Sequence, residues 1–274
     1  MVATASSCAE PQAAAVEPLV SVEASAIEEP PTIVQEITTP NGFVREGSTT
    51  GFGTYLRQLP LKSPGSLVEY YNGDTKPNYG VYEYVVDLEI GPRDLHQCAD
   101  AVMRVRAEYL WQSKQYDKIH FNFTNGFRVD YAKWMAGQRV IIEGNKTYWR
   151  KRTSPANTYA SFWKYLELIF AYAGTASLEK ELVAKPITEA QIGDVLIKGG
   201  FPGHAVIIVD KAVHPDTKEP IYLLAQSYMP AQQIQILQNP NDEDFSPWFS
   251  LKEGAINTPE WRFDSGQLKA FVEE

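Results

Sequence analysis

Two residues of this 274-residue chain have the type and placement for nucleophilic chemistry. Cys98 sits where a helix should begin, in Asp94-Leu95-His96-Gln97-Cys98-Ala99-Asp100-Ala101-Val102. His204 opens an apolar run, Gly203-His204-Ala205-Val206-Ile207-Ile208-Val209-Asp210. The nucleophile in such chemistry is the thiolate. Unpaired amide N–H groups and the macrodipole at a helix N-terminus favour negative charge there and lower a thiol's pKa. A neighbouring imidazole would complete the ion pair, and a third polar group would fix its ring. Gln226 is the polar residue inside Leu223-Leu224-Ala225-Gln226-Ser227-Tyr228, and a polar group in a core strand implies a partner. The expected set is Cys98 as nucleophile, with its own backbone N–H in the oxyanion hole, His204 as base and Gln226 as the orienting group.

Each residue also has a plainer reading. Cys98 falls on the apolar stripe of its helix, and cysteine is among the most buried residue types. His204 could be a satisfied histidine at a strand edge, although Gly203 before it permits the close backbone approach of a crowded site. Gln226 could be a core amide bonded to backbone, with Ser227 as fallback on the opposite face. Asp94 reads as an N-cap and Asp194 as a turn residue. His96, two residues before Cys98, points away from it on a helix and could line the cleft mouth.

The elements that must position these residues follow from pattern. Tyr79–Ile90 alternates and reads as a strand, broken by Gly91-Pro92. Asp94 with Gln97 three residues on forms a capping box, which predicts a helix over Leu95–Gln112. Asn72-Gly73-Asp74 is a turn signal. Residues 117–190 read as a loop-rich insert with strands. Within it Ser154-Pro155 is the entry to an apolar helix over Tyr159–Ala173, and Ser177 caps a short helix running to Ala184. Beyond it, strands at 193–197, 204–210, 221–228 and 233–237 lie close in sequence, which predicts an antiparallel meander. A helix followed by an antiparallel sheet is an α+β layout.

Composition sets the remaining bounds. Residues 1–46 are rich in Ala, Glu, Pro, Ser and Thr and read as a disordered tether, leaving 47–274 as one domain. The formal net charge of −9 argues against a nucleic-acid partner, since phosphate binding needs a basic patch. Two cysteines and four histidines, widely scattered, give no metal-ligand spacing, and the chemistry above requires no cofactor. Ala5-Ser6-Ser7-Cys8 looks like the end of a bacterial lipoprotein signal without its apolar segment, with Cys8 as the lipidated residue. The alternative is an incidental cysteine in a tail. The first reading places the protein in the cell envelope.

Cys at a helix start, a Gly193-Asp194-Val195-Leu196-Ile197 strand, a His204-Ala205-Val206-Ile207-Ile208 strand and a polar residue on the next strand resemble the papain-like cysteine peptidases of the NlpC type, which cleave cell-wall peptides. The resemblance covers roughly residues 94–112 and 191–228. It implies a papain-like core and a hydrolase acting on an amide bond in a peptide or peptidoglycan-like substrate, with Cys98, His204 and Gln226 in the roles given above. The chain departs at the nucleophile, where Gln97-Cys98-Ala99-Asp100 replaces the usual Asp-Cys-Ser-Gly, and in the longer Cys-to-His interval. Gln97-Cys98-Ala99-Asp100-Ala101, Pro202-Gly203-His204-Ala205-Val206 and Ala225–Gln232 also resemble the hallmark segments of an uncharacterised bacterial domain family. The rival expectation is a non-catalytic binding or structural lipoprotein on the same scaffold.

Overall fold

The structure is a computed structural model and describes residues 1–3, 30–46 and 51–272. Cys8 lies outside the described residues. The centre of the fold is an antiparallel sheet of nine strands: β1 (Val44–Arg45), β2 (Tyr82–Val85), β3 (Val183–Ala184), β4 (Val195–Lys198), β5 (His204–Val213), β6 (Pro220–Gln226), β7 (Gln235–Leu237), β8 (Trp248–Phe249) and β9 (Leu268–Ala270). The spatial order is β2-β7-β6-β5-β4-β9-β3, with β1 beside β5 and β8 beside β6. Strands β4 to β7 form the expected meander, in the register Leu196↔Val206, Ile207↔Ala225 and Ala225↔Ile236.

Five helices accompany the sheet among the described residues: α1 (Phe52–Arg57), α2 (Cys98–Gln112), α3 (Tyr131–Met135), α4 (Tyr159–Tyr172) and α5 (Thr175–Glu181). Alternation along β5 sorts its side chains between two cores. Ala205, Ile207 and Val209 pack in one cluster with Val102 and Val105 of α2 and Phe162 and Ile169 of α4. Val206 and Ile208 pack in another with Leu196, Leu224, Ile256 and Phe263. Both faces of β5 are therefore covered, which explains why its sequence reads as a continuous apolar run rather than an alternating one. Phe162, Tyr165, Leu166 and Ile169 of α4 are fully buried, at roughly 1.5–3 kcal/mol for each aliphatic or Phe side chain. The α+β class is as expected.

Several boundaries differ from the sequence expectation, each for a physical reason. The tether does not extend to residue 46. Val34 and Ile37 are buried in the main core, Ile33 bridges to Pro60, and Val44 and Arg45 pair with Val213 and Ala212. Two buried apolar side chains and two stretches of backbone pairing dock this segment despite its polar composition. The helix predicted from Leu95 begins at Cys98 with Gln97 as its N-cap residue. Asp94 is not the cap: its Oδ1 accepts the Ala231 N–H at 2.7 Å and a Gln97 side-chain N–H at 3.1 Å. The first-turn acid that closes the helix start is Asp100, whose Oδ2 accepts the Gln97 N–H at 3.0 Å. Helix α4 is entered at Thr158, whose Oγ1 accepts the Ser161 N–H at 3.2 Å, rather than at Ser154-Pro155. In α5 it is Gly174 that stands at the N-cap, and Ser177 accepts its N–H at 3.0 Å from inside the first turn.

The back of the sheet carries a buried ion cluster. β5 has a register shift between Ile208 and Asp210, and Asp210 is fully buried there. Its two carboxylate oxygens accept from Arg45 Nε and Arg57 Nε, each at 2.6 Å. Arg45 also donates to the Ile37 carbonyl. A buried carboxylate needs such pairing to offset its lost hydration.

Candidate functional site

Cys98 occupies the first position of α2, three places closer to the helix end than the predicted boundary gave it. Its side chain is 8 % exposed and forms part of the wall of a groove of about 580 Å³. The opposite walls come from the α4–α5 junction (Phe170, Gly174, Thr175), the 200–203 turn and Met229. Phe201 and Met229 stand exposed beside it. A smaller hollow of about 260 Å³, bordered by Arg106, His120 and Glu181, contains no cysteine.

The thiol reaches the sheet at the point where β5 begins. Its sulfur lies against the backbone amide of Ala205, the residue after His204, as well as the amides of Ala99 and Cys98 itself. Gly203 makes this junction possible. A Cβ at that position would meet the Gly200 carbonyl at 2.6 Å, the Lys198 carbonyl at 2.7 Å and the Thr175 hydroxyl, so the close approach expected of Gly203 is present.

His204 and Gln226 form the other half of the site. His204 is 1 % exposed and pairs in register with Lys198. Its Nε2 lies 2.7 Å from Gln226 Oε1. The imidazole is ringed by Tyr228, Trp261 and Phe263, with centroids 4.9, 5.4 and 5.9 Å away. Trp261 and Phe263 belong to, or border, the hairpin Ala255–Asn257/Arg262–Asp264 on the face of the sheet opposite α2. Alternation therefore turns the His204 ring and Gln226 to one face, while Ala205 faces the helix. No hydrogen bond joins Cys98 to His204 among the described residues. The two residues flank the same strand end, one at its backbone and one through its side chain.

Behind Gln226 runs a chain of polar contacts. Gln226 Nε2 donates to Glu260 Oε2 at 2.6 Å, and Lys76 Nζ donates to the same oxygen at 2.6 Å. Lys76 donates also to Gln232 Oε1 at 3.2 Å, which accepts from Gln235 Nε2 at 3.0 Å. Lys76 is presented by the hairpin Val68–Glu69/Thr75–Lys76, whose turn is the Asn72-Gly73-Asp74 signal in the sequence. Gln232 closes the circuit to the helix: its N–H donates to the His96 carbonyl at 3.2 Å, and its own carbonyl lies 3.1 Å from His96 Nδ1. Ser227 Oγ contacts both of those carbonyls, at 2.9 Å to His96 and 2.8 Å to Gln232. Glu260 and Lys76 were not foreseen, since neither carries a sequence signal of its own.

Electrostatics corrects one expectation outright. The helix N-terminus was to lower the thiol's pKa. Burial instead pushes Cys98 up to about 11, with Asp100 as a further raising charge and the amides of Ala99, Ala205 and Cys98 as the smaller lowering ones. Burial also pushes the Asp100 carboxyl well above the usual carboxylate range, so a protonated Asp100 would withdraw its own share of that effect. His204 is lowered to about 4 by burial and by the Lys76 charge, against the raising bond to Gln226. At neutral pH the thiol and imidazole are both uncharged. The two shifts run in the directions that disfavour a thiolate–imidazolium pair at rest.

The remaining predicted residues fall elsewhere. His96 does not line the groove mouth; it is fully buried, edge-on to Phe170 at 5.8 Å. Asp194 is the expected turn residue, with its Oδ2 accepting from Gln191 N at 2.8 Å and Lys185 Nζ at 2.7 Å. Among the described residues, no helix is long and apolar enough to cross a membrane. The chain belongs to the family described as Domain of unknown function (4846), which matches residues 33–270. No curated protein and no solved structure matches it.

Proposed function

We propose that this member of the family is a cysteine hydrolase with a papain-like core, cleaving an amide bond in a peptide of the cell-wall kind. The observation that carries the reading is the convergence at one strand end. A cysteine at the first residue of a helix abuts the amide next to a histidine, and that histidine is oriented by a glutamine at 2.7 Å. The order of α2 followed by the antiparallel β4–β5–β6 meander supports the papain-like reading of the core. The groove supports an extended substrate reaching Cys98, with small residues (Ala99, Ala173, Gly174) and larger apolar ones (Phe170, Phe201, Met229) along its wall.

In the proposed reaction the Cys98 S–H proton passes around the strand end to His204 through a bridging water, as the sulfur attacks the scissile carbonyl carbon. The Cys98 N–H at the helix start then faces the developing oxyanion. Collapse breaks the C–N bond, with His204 returning the proton to the leaving amine. Water, deprotonated by His204, hydrolyses the thioester and restores the thiol. Since the resting groups are uncharged, proton transfer accompanies attack rather than preceding it. The envelope placement and a lipid on Cys8 belong to the same proposal, supported by the Ala5-Ser6-Ser7-Cys8 sequence. Mass spectrometry of the native N-terminal peptide tests them, and an unmodified Cys8 on membrane-free protein would remove them.

The test of the chemistry is covalent capture. The folded chain incubated with a peptidyl vinyl sulfone is expected to gain one adduct at Cys98, abolished in Cys98→Ala and slowed about a hundredfold in His204→Ala. Adduct formation only after denaturation defeats the hydrolase reading. A second reading has one observation in its favour, the missing thiol–imidazole hydrogen bond between two neutral groups. On it the groove binds peptide without cleaving it. In that case alkylation of Cys98 by iodoacetamide follows thiolate fraction alone, rising tenfold per pH unit toward about 11 and unaffected by His204→Ala.

A further inference from the structure

The geometry points to Glu260 as a positioning residue that sets which nitrogen of His204 carries the proton, acting through the side-chain amide of Gln226. The inference rests on the hydrolase reading for its purpose, but on hydrogen-bond logic for its content.

The logic runs from the charged end of the chain inward. A carboxylate only accepts hydrogen bonds, so the Gln226 atom 2.6 Å from Glu260 Oε2 must be its NH₂ group. The other end of that amide, the carbonyl oxygen, therefore faces His204 at 2.7 Å. An oxygen without a hydrogen can only accept, so His204 Nε2 must bear the N–H. The neutral imidazole has one N–H, so Nδ1 is left with its lone pair, which is the form a base requires. Nδ1 has no partner, yet it is not among the sealed unpartnered atoms of the molecule.

Lys76 completes the argument. Its ammonium group only donates, and it lies 2.6 Å from the same Glu260 oxygen and over the Tyr228 ring at 5.6 Å. Glu260 has a 20 % exposed side chain, and Lys76 one of 8 %; the cation keeps the carboxylate an acceptor. The two charges thus give the row Lys76, Glu260, Gln226, His204 one direction of donation. Without Glu260, either end of the Gln226 amide can face the imidazole. When the NH₂ group does so, Nε2 becomes the acceptor, the proton moves to Nδ1, and Nδ1 no longer offers a lone pair.

The experiment is long-range ¹H–¹⁵N NMR of the imidazoles in the full chain, with the His204 signals identified by their loss in His204→Ala. Nitrogen shifts report the tautomer directly, whether or not the protein turns over any substrate. The wild type is expected to show a single neutral form protonated at Nε2. Glu260→Ala is expected to add the Nδ1–H form, while Glu260→Gln, which can still accept from Gln226, keeps the original one. Parallel capture of Cys98 is expected to fall between about tenfold and a hundredfold in Glu260→Ala and to recover in Glu260→Gln. A wild-type His204 protonated at Nδ1 overturns the inference even if no variant folds, and so does an unchanged tautomer in Glu260→Ala. A correct tautomer pattern with an inert Cys98 leaves the positioning role standing and removes the hydrolase instead.

Discussion

The protein buries two imidazoles on either side of one polypeptide crossing and equips them in opposite ways. His204 is bonded through Nε2 to a side chain that is itself bonded onward to an ion pair. His96 faces the Gln232 carbonyl through Nδ1, so that nitrogen carries the proton, while its Nε2 is sealed and has no partner. Farther along α2, Asp100 Oδ1 and Arg104 Nε and Nη1 are likewise buried without hydrogen-bond partners. Arg104 lies over the Trp163 ring at 4.8 Å and forms an ion pair with Glu108 at 3.8 Å, longer than a hydrogen bond. The difference teaches where precision is located. A row that ends on an ion pair carries one direction of donation through several side chains, whereas the orphaned atoms at His96, Asp100 and Arg104 only cost desolvation.

The largest effect that could break this contrast is acid. Burial holds His96 down to about 3 and His204 down to about 4. An imidazole with a depressed folded pKa binds its proton in the unfolded chain first, so stability falls as pH drops from 6.5 toward the folded value. The shift corresponds to as much as about 5 kcal/mol for His96 and about 3 kcal/mol for His204. The raised Asp100 carboxyl acts with the opposite sign, adding stability as pH falls from its folded value toward 3.8. Urea denaturation between pH 7 and pH 4 should show a steep net loss, made shallower by His96→Phe. A flat profile would mean that these imidazoles are not held neutral.

Gln226→Leu should come next. It strands the His204 N–H and one acceptor site of Glu260, for a loss of about 2–3 kcal/mol in denaturant midpoint analysis. His96→Phe at pH 7 is expected to change stability by less than about 1 kcal/mol, because the Gln232 carbonyl keeps Ser227 Oγ and an orphaned nitrogen disappears. Replacing Arg104 and Glu108 together, by Met and Leu, is the smallest, from neutral to stabilising by about 1 kcal/mol, since it removes a buried ion pair whole and leaves neither charge uncompensated. If the changes at His96 and at Arg104 with Glu108 prove as costly as Gln226→Leu, these orphaned atoms are satisfied by buried water and the contrast disappears.

The parts legible in sequence were those written in local pattern. Apolar periodicity placed α2, α4 and the β4–β7 meander, and an out-of-place polar residue marked Gln226. What stayed hidden depends on distant partners. Glu260 and Lys76 are 184 positions apart and look like ordinary surface charges. Asp94 had the form of a cap, but the Ala231 N–H from the far side of the sheet claimed it. The direction of the Cys98 shift was misjudged because helix position is visible in sequence and depth of burial is not. Residues 31–46 were misread through composition, which averages over the few apolar side chains that dock them.

The Arg45–Asp210–Arg57 cluster has a mechanical consequence. β5 is ten residues long, about 30 Å end to end, with His204 at its start and the clamped β1 strap beside its far end, at Ala212 and Val213. Tension applied to the chain ahead of residue 30 would reach the Ile33–Pro60 bridge and buried Val34 first, and the arginine anchors only after them. The cluster thus ties β1 and α1 to the half of β5 remote from His204, so a pull transmitted through β1 would act on that half of the strand first.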